Sequence, residues 1–192
     1  MKRIEEVYRE ILFQGIEKKN KMMTQSYLAT TLNISLSIIN LALKPLRKMN
    51  AVVVKQRNFN IIDVRKILYY WASIRNIEKD IIYKTRVNKP VKQIESEMPH
   101  NIIYGAYSAY KFKFSDVPAD YSEVYVYSDK IEEIKERFPN NNMVPNLFVL
   151  KKDQNMKEMT LALMFVDFWN LKEWYAKDFL EALEKRIFNE IK

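Results

Sequence analysis

The chain has 192 residues, 48% of them hydrophobic, enough to bury the core of two small domains and too many for a disordered segment. With no cysteine and a single histidine, His100, disulfides, thiolate metal sites and paired-histidine sites are excluded. The formal net charge of +8 is uneven: residues 1–90 carry 18 Lys/Arg against 7 Asp/Glu and residues 91–192 carry 14 against 17, so the first half stands at +11 and the second at −3.

The N-terminal Met1-Lys-Arg-Ile-Glu-Glu places acids where a signal peptide needs an unbroken apolar core. No apolar run nears the roughly 18 residues of a membrane span, and a cytoplasmic protein without membrane contact is expected. Ile4, Val7, Tyr8, Ile11, Leu12 and Ile16 recur at helical spacing, which predicts an amphipathic helix over residues 3–17 whose end Gly15 frays. Lys18 to Lys21 reads as a solvated loop. Thr24 then caps a short helix, Gln25 to Leu32; Asn33-Ile34 turns the chain; and Ser35 caps a second helix, Leu36 to Met49, with Ile39, Leu43 and Leu46 on one apolar face. The run from Ala51 to Ile62 has two β-rich segments around a basic turn, Lys55 to Asn58, the pattern of a hairpin.

Asp63 caps a helix to Ile74 that is apolar over a wide arc through Val64, Ile67, Leu68, Tyr69, Tyr70 and Trp71. Such an arc needs two partners: the first domain's core and either the second domain or a twin subunit, or else a single core facing all of it. Ile81 to Val87 alternates like a strand, and Pro90 suits the first turn of a helix from Val91 to Met98. A domain boundary is placed between residues 76 and 90, giving domains 1–80 and 81–192. Beyond it the pattern predicts a helix at 106–112, a strand at 123–127, a helix at 130–137, a strand at 147–151 and a long helix at 171–191. Trp169, Trp174 and Tyr175 are expected in the core, with Leu180, Leu183, Ile187 and Ile191 continuing their stripe. The fold class expected is α+β: an N-terminal winged helix-turn-helix followed by a small α/β domain.

Two helices, a turn and a hairpin wing form a DNA-reading module, and its basic half points to a polyanion, since Lys and Arg contacts to phosphate supply most sequence-independent DNA affinity. A merely solvated basic surface is the plainer alternative. On the second helix Leu36, Ser37, Ile38, Asn40, Leu41 and Lys44 face outward near the N-terminus. Asn40 suits a bidentate contact with adenine, Ser35 and Ser37 suit phosphate, and Lys44 suits phosphate or guanine. The aliphatic residues suit thymine methyl groups, so an A·T-rich site is expected. Thr24 and Gln25 at the start of the first helix, and Lys55, Arg57 and Asn58 in the wing, complete the set. Two other readings stay open: the aliphatic face binds another protein, or Leu36 and Ile38 pack under the wing.

The whole chain resembles archaeal winged-helix proteins related to the AbiE-type antitoxins of type IV toxin-antitoxin systems. The resemblance rests on Thr24-Gln-Ser-Tyr-Leu-Ala through Leu43-Lys-Pro-Leu, on Tyr107-Ser-Ala-Tyr, on Tyr121-Ser-Glu-Val-Tyr-Val-Tyr, and on the segment Val166-Asp-Phe-Trp-Asn-Leu-Lys-Glu-Trp-Tyr-Ala-Lys-Asp-Phe-Leu. It implies a homodimeric repressor on inverted repeats ahead of its own operon, with a second domain that binds or neutralises a partner such as a toxin. The second domain also resembles a degraded nucleotidyltransferase, in which a Gly-Gly or Gly-Ser turn holds nucleotide phosphates and an Asp-x-Asp pair binds metal. Here Gly105-Ala106 occupies the turn, and Glu123 with Tyr125 stands at the acid pair, one carboxylate short. Neither an enzyme nor a bound cofactor or metal is expected. His100 reads as a surface residue, and Asp167 as a brace for the final helix.

Overall fold

The structure, a computed structural model, describes residues 1–191, the side chains of Glu190 and Ile191 excepted. It is α+β, with nine α-helices and two small sheets among the described residues, and divides into two compact units. The first unit holds Met1–Arg75, Thr160–Val166 and the C-terminal residues from Leu183; the second holds Asn76–Met159 and Asp167–Ala182. This differs from a single cut at 80/81, because two late segments bury their apolar faces with the N-terminal residues.

In the first unit α1 (Arg3–Ile16) buries Val7, Tyr8, Ile11, Leu12 and Ile16 on one stripe. Gly15 is buried inside this helix instead of fraying it: a Cβ there would lie 2.9 Å from the Ile61 side chain, so its value is close approach. A two-residue strand β1 (Met22–Met23) precedes α2 (Gln25–Leu32), whose cap is the Thr24 hydroxyl accepting from the Tyr27 N–H at 2.9 Å. Asn33 takes the left-handed conformation, φ 51°, which ends α2 and turns the chain. Ser35 then caps α3 (Leu36–Lys48), with Ile39, Ala42, Leu43 and Leu46 inward. Strands β2 (Val52–Val54) and β3 (Phe59–Ile61) form an antiparallel hairpin, Val52 opposite Ile61, and β1 adds to β3 in the order β1-β3-β2.

Helix α4 (Val64–Ile74) is capped by Asp63, which accepts from the Lys66 N–H at 3.0 Å. Its buried side carries Ile67, Leu68 and Trp71; the Trp71 indole and the Arg75 guanidinium both donate to Glu5 on α1, each at 3.2 Å. The second partner of its wide arc is the chain's own C-terminal sequence. Tyr69 meets Phe165 edge-on at 5.7 Å and donates to Glu184, while the Arg65 guanidinium lies 3.9 Å over the Phe188 ring. Phe165 comes from α8 (Leu161–Asn170), whose first amide donates to Glu17 at 2.5 Å, and Phe188 from α9 (Ala176–Ile191). Each of these two helices contributes to both units.

The second unit is built on β4 (Ile81–Thr85), β5 (Ile103–Gly105), β6 (Val124–Ser128) and β7 (Leu147–Lys151), in the order β4-β7-β6-β5. Only β6 and β7 run parallel, joined by a crossover through α7 (Ile131–Arg137). Val124, Val126, Leu147 and Val149 pack with Ile94 of α5 (Val91–Ser96) and with Ile134 and Phe138. The opposite-facing β6 residues, Tyr125 and Tyr127, are buried as well, so this strand is covered on both faces. Tyr107, on α6 (Ala106–Phe114), packs against Tyr125, Phe168 and Phe179.

The final helix begins at Ala176, five residues later than expected, and its stripe runs through Phe179, Leu183, Ile187 and Phe188; the Ile191 side chain lies outside the described residues. Trp169 and Trp174 are not core: they are 46% and 80% exposed, while Tyr175 is buried. The indoles fall beside the break between α8 and α9, off the four-residue spacing that points Phe179, Leu183 and Ile187 inward. No described helix is long and apolar enough to cross a membrane.

Candidate functional site

From Lys18 to Ile62 the sequence has eight Lys/Arg and no Asp or Glu. Those 45 residues fold as β1, α2, α3 and the β2–β3 hairpin, and all eight cations are exposed: Lys18, Lys19, Lys21, Lys44, Arg47, Lys48, Lys55 and Arg57. Of the acids around this stretch, Glu5 and Glu6 are buried, with Glu5 paired to Arg75, while Glu10, Glu17 and Asp63 are half-buried, Glu10 accepting from the Tyr27 hydroxyl and Asp63 capping the next helix. A surface in which cations predominate attracts a polyanion over about a Debye length, roughly 10 Å at 0.1 M salt.

Local capping fixes how α3 is shown. The Ser35 hydroxyl accepts from the Ile38 N–H at 3.4 Å, and the Tyr8 hydroxyl donates to the Ala42 carbonyl at 3.1 Å, so the inner side of α3 is held against α1. Leu36, Ser37, Asn40, Leu41 and Lys44 then stand exposed, Leu36 at 50% and Leu41 at 57%. Leu36 does not pack under the hairpin, and Ile38 is half-buried. Thr24 and Ser35 are exposed with their oxygens already serving as caps, and Gln25 is half-buried. In the hairpin Lys55, Gln56 and Arg57 are exposed, and the Lys55 N–H closes the turn onto the Asn58 carbonyl at 2.7 Å. Asn58 points back toward β1, its amide 3.5 Å from the Met22 sulfur, so it is separated in direction from Lys55 and Arg57. Arg47 and Lys48, three and four residues beyond Lys44 on the same helix, join this surface. Their i+3/i+4 spacing was a sufficient signal to find them.

The second unit arranges its acids differently. Glu173, from the loop between α8 and α9, accepts from the Tyr125 hydroxyl at 2.6 Å and from the Tyr107 hydroxyl at 3.1 Å. Asp167, 1% exposed, accepts from Tyr127 at 2.6 Å. Burial first, and Glu173 second, push the Tyr107 and Tyr125 phenols well above the ordinary tyrosine range, so both remain donors at any working pH. Tyr125 stacks on Phe148 with centroids 4.7 Å apart, beside a cavity of about 170 Å³ that Lys172 and Glu173 also line. Glu123 is half-buried, with Ser122 donating to one oxygen at 2.9 Å. Burial raises its carboxyl pKa, Ser122 opposes this, and the Glu173 charge adds to it.

Gly105 and Ala106 open α6, with Ala106 at φ 42°, a strained value for a residue with a side chain. The Tyr127 ring and the Tyr125 carbonyl lie 3.3 and 3.4 Å from where a Gly105 Cβ would be, so this turn is packed against β6. Glu173 thus comes near Glu123, which stands just before β6 and not on it as the sequence pattern suggested; sequence spacing gave no sign of that approach. No group of three or more His, Asp or Glu among the described residues is placed to share a metal ion. His100 is exposed. Comparison of the chain with protein families, with curated proteins and with solved structures returns no match.

Proposed function

We propose that this chain is a cytoplasmic, sequence-specific DNA-binding regulator that reads an A·T-rich inverted repeat with a winged helix and represses transcription by occlusion. The observation that carries the reading is the acid-free stretch from Lys18 to Ile62, folded as two capped helices and a hairpin with every one of its cations exposed. Asn40 and Lys44 on α3 supply base contacts, Leu36 and Leu41 meet thymine methyl groups, and Lys55 and Arg57 of the wing enter the minor groove. Thr24, Gln25, Ser35 and Ser37 lie beside phosphate through the N-terminal ends of α2 and α3. Ile38 and Asn58 play supporting parts, one under the reading face and one holding the hairpin to β1. In a homodimer the two α3 helices sit about 34 Å apart on successive turns of DNA. Phe165 and Phe188 cover the Tyr69 and Arg65 side of α4, which leaves only the remaining face of this helix for a dimer contact.

The second unit is read as a nucleotidyltransferase-like domain without catalysis. Support comes from the chain order β5, α6, β6, α7, β7, with one antiparallel and one parallel pairing, and from Tyr125 standing where a second acid would be needed. The exposed Trp169 and Trp174 favour a second reading, in which this unit also holds a protein partner such as a toxin. Co-purification with the product of an adjacent gene, lost in Trp174→Ala, is the expected result; co-purification unchanged by that substitution removes the indole from the contact.

The DNA reading is tested by binding to a labelled duplex from just upstream of the chain's own gene, against a scrambled duplex of equal composition, at about 50 and 200 mM salt. Tighter binding to the native duplex that persists at the higher salt is expected. Equal binding that vanishes with salt leaves only a basic surface, and absence of binding rejects the proposal.

A further inference from the structure

On the side of α3 that meets α1 and α4 lies a groove of about 290 Å³, at the lower end of the size that holds small ligands. Its floor is the half-buried Tyr70 ring, backed edge-on at 5.7 Å by the fully buried Tyr8, whose hydroxyl is fixed on the Ala42 carbonyl. Pro45 forms one wall and contributes no N–H, and the exposed Leu41 forms the lip. Lys44 and Lys48 complete the rim, one helical turn apart and on the same side. No carboxylate lines the groove, and neither lysine takes part in an ion pair among the described residues.

An apolar trough with two adjacent, uncompensated ammonium groups on its rim is complementary to a small molecule with a flat apolar body and one anionic end. DNA phosphate alone would use the lysines and leave the aromatic floor empty; a neutral hydrophobe would use the floor and leave the lysines. We infer that this groove binds a small amphipathic carboxylate, its apolar body over Tyr70, Pro45 and Leu41 and its carboxylate between Lys44 and Lys48, and that occupancy opposes DNA binding. The second half rests on the DNA-binding reading, because Lys44 then serves both ligands. A carboxylate on Lys44 and Lys48 removes cations available to phosphate, and by reciprocity bound DNA lowers the affinity for the acid by the same factor.

The test uses the full-length chain, ¹⁵N-labelled, titrated with 2-naphthoate, and in parallel with acetate and with the neutral 2-naphthamide. Expected is saturable binding of 2-naphthoate with a dissociation constant of about 1 mM or tighter, shifting the amides of Tyr8, Leu41 and Tyr70. Both controls bind at least about tenfold more weakly, and Lys44→Gln and Lys48→Gln each weaken the acid about threefold, as exposed ion pairs do. Both lysines are exposed, so neither substitution threatens the fold. Acetate binding as well as the acid, 2-naphthamide binding as well as the acid, insensitivity to both substitutions, or no saturation overturns the groove assignment. In a second arm, saturating 2-naphthoate should weaken binding to duplex DNA severalfold. An unchanged DNA affinity with the groove occupied overturns the coupling, and a chain that binds no DNA overturns the regulatory half together with the DNA reading, while the titration still decides the groove.

Discussion

Eight cations between Lys18 and Arg57 stand exposed in the first unit, whereas the acids that stand out in the second unit, Asp167 and Glu173, are held by the hydroxyls of Tyr127, Tyr125 and Tyr107. In the first unit Glu5 and Glu6 are buried against α4 and its neighbours, while the cations from Lys18 to Arg57 all stand outward. In the second, the buried Asp167 and the half-buried Glu173 are tied to tyrosine hydroxyls. A side chain that must recognise or react needs its polar end available; one whose end is already tied to a neighbour is holding the fold. On the proposed reading the recognition surface lies in the first unit, and the tied acids Asp167 and Glu173 of the second play a structural part.

Shortening the chain to residues 1–80 tests that contrast most severely. It removes Phe165, Glu184 and Phe188 from α4, and the expected outcome is loss of a cooperative urea transition. A stable fragment with full DNA affinity would show that α4 needs no C-terminal cover. Next in size is Glu5→Ala, which leaves the buried Arg75 and Trp71 donors with one carboxylate fewer. A loss of about 3 kcal/mol is expected, as for other broken buried pairs, and a loss below about 1 kcal/mol would mean that the inward acids of the first unit are incidental.

On the surface the effects fall on binding and leave folding alone. Asn40→Ala should cost about 1 to 3 kcal/mol at one base position, while Lys55→Ala should weaken all sequences alike and lower the salt slope by about one unit. Equal loss on specific and random DNA for Asn40→Ala removes it from the readers. The smallest effect belongs to Glu123. Burial raises its carboxyl pKa, so the folded chain keeps that proton to higher pH than the unfolded chain; the favourable contribution is present below the unfolded pKa and is lost as pH rises through the folded one. Glu123→Gln should therefore gain slightly on the native chain in urea unfolding at neutral pH and show no such gain in acid. A gain equal at both pH values would mean that the burial of Glu123 is not felt as a proton affinity.

Features with a local cause were legible in the sequence. Thr24, Ser35 and Asp63 cap their helices because a short side-chain oxygen reaches the amide three residues on, and Leu147–Lys151 is a strand because its β-rich run is bounded by turn residues. Features with a distant cause were not. Leu161–Asn170 gave no helical period because nearly every side chain in it is buried, and β1 and β5, two and three residues long, are strands by virtue of pairing with β3 and β6. The outward face of α3 could be read from Ile39, Leu43 and Leu46. The approach of Glu173 to Tyr125, 48 residues away, and the exposure of Trp169 and Trp174 depend on the break between α8 and α9, which no local motif marked.

Recognition is proposed to belong to the acid-free stretch of the first unit. It is tested most directly by titrating the ¹⁵N-labelled full-length chain with the duplex from upstream of its own gene, at about 50 mM salt, and mapping which amides shift. Shifts are expected to concentrate between Lys18 and Ile62, strongest around Ser35 to Lys44 and Lys55 to Arg57. Shifts confined to the second unit, or none at all, would contradict it.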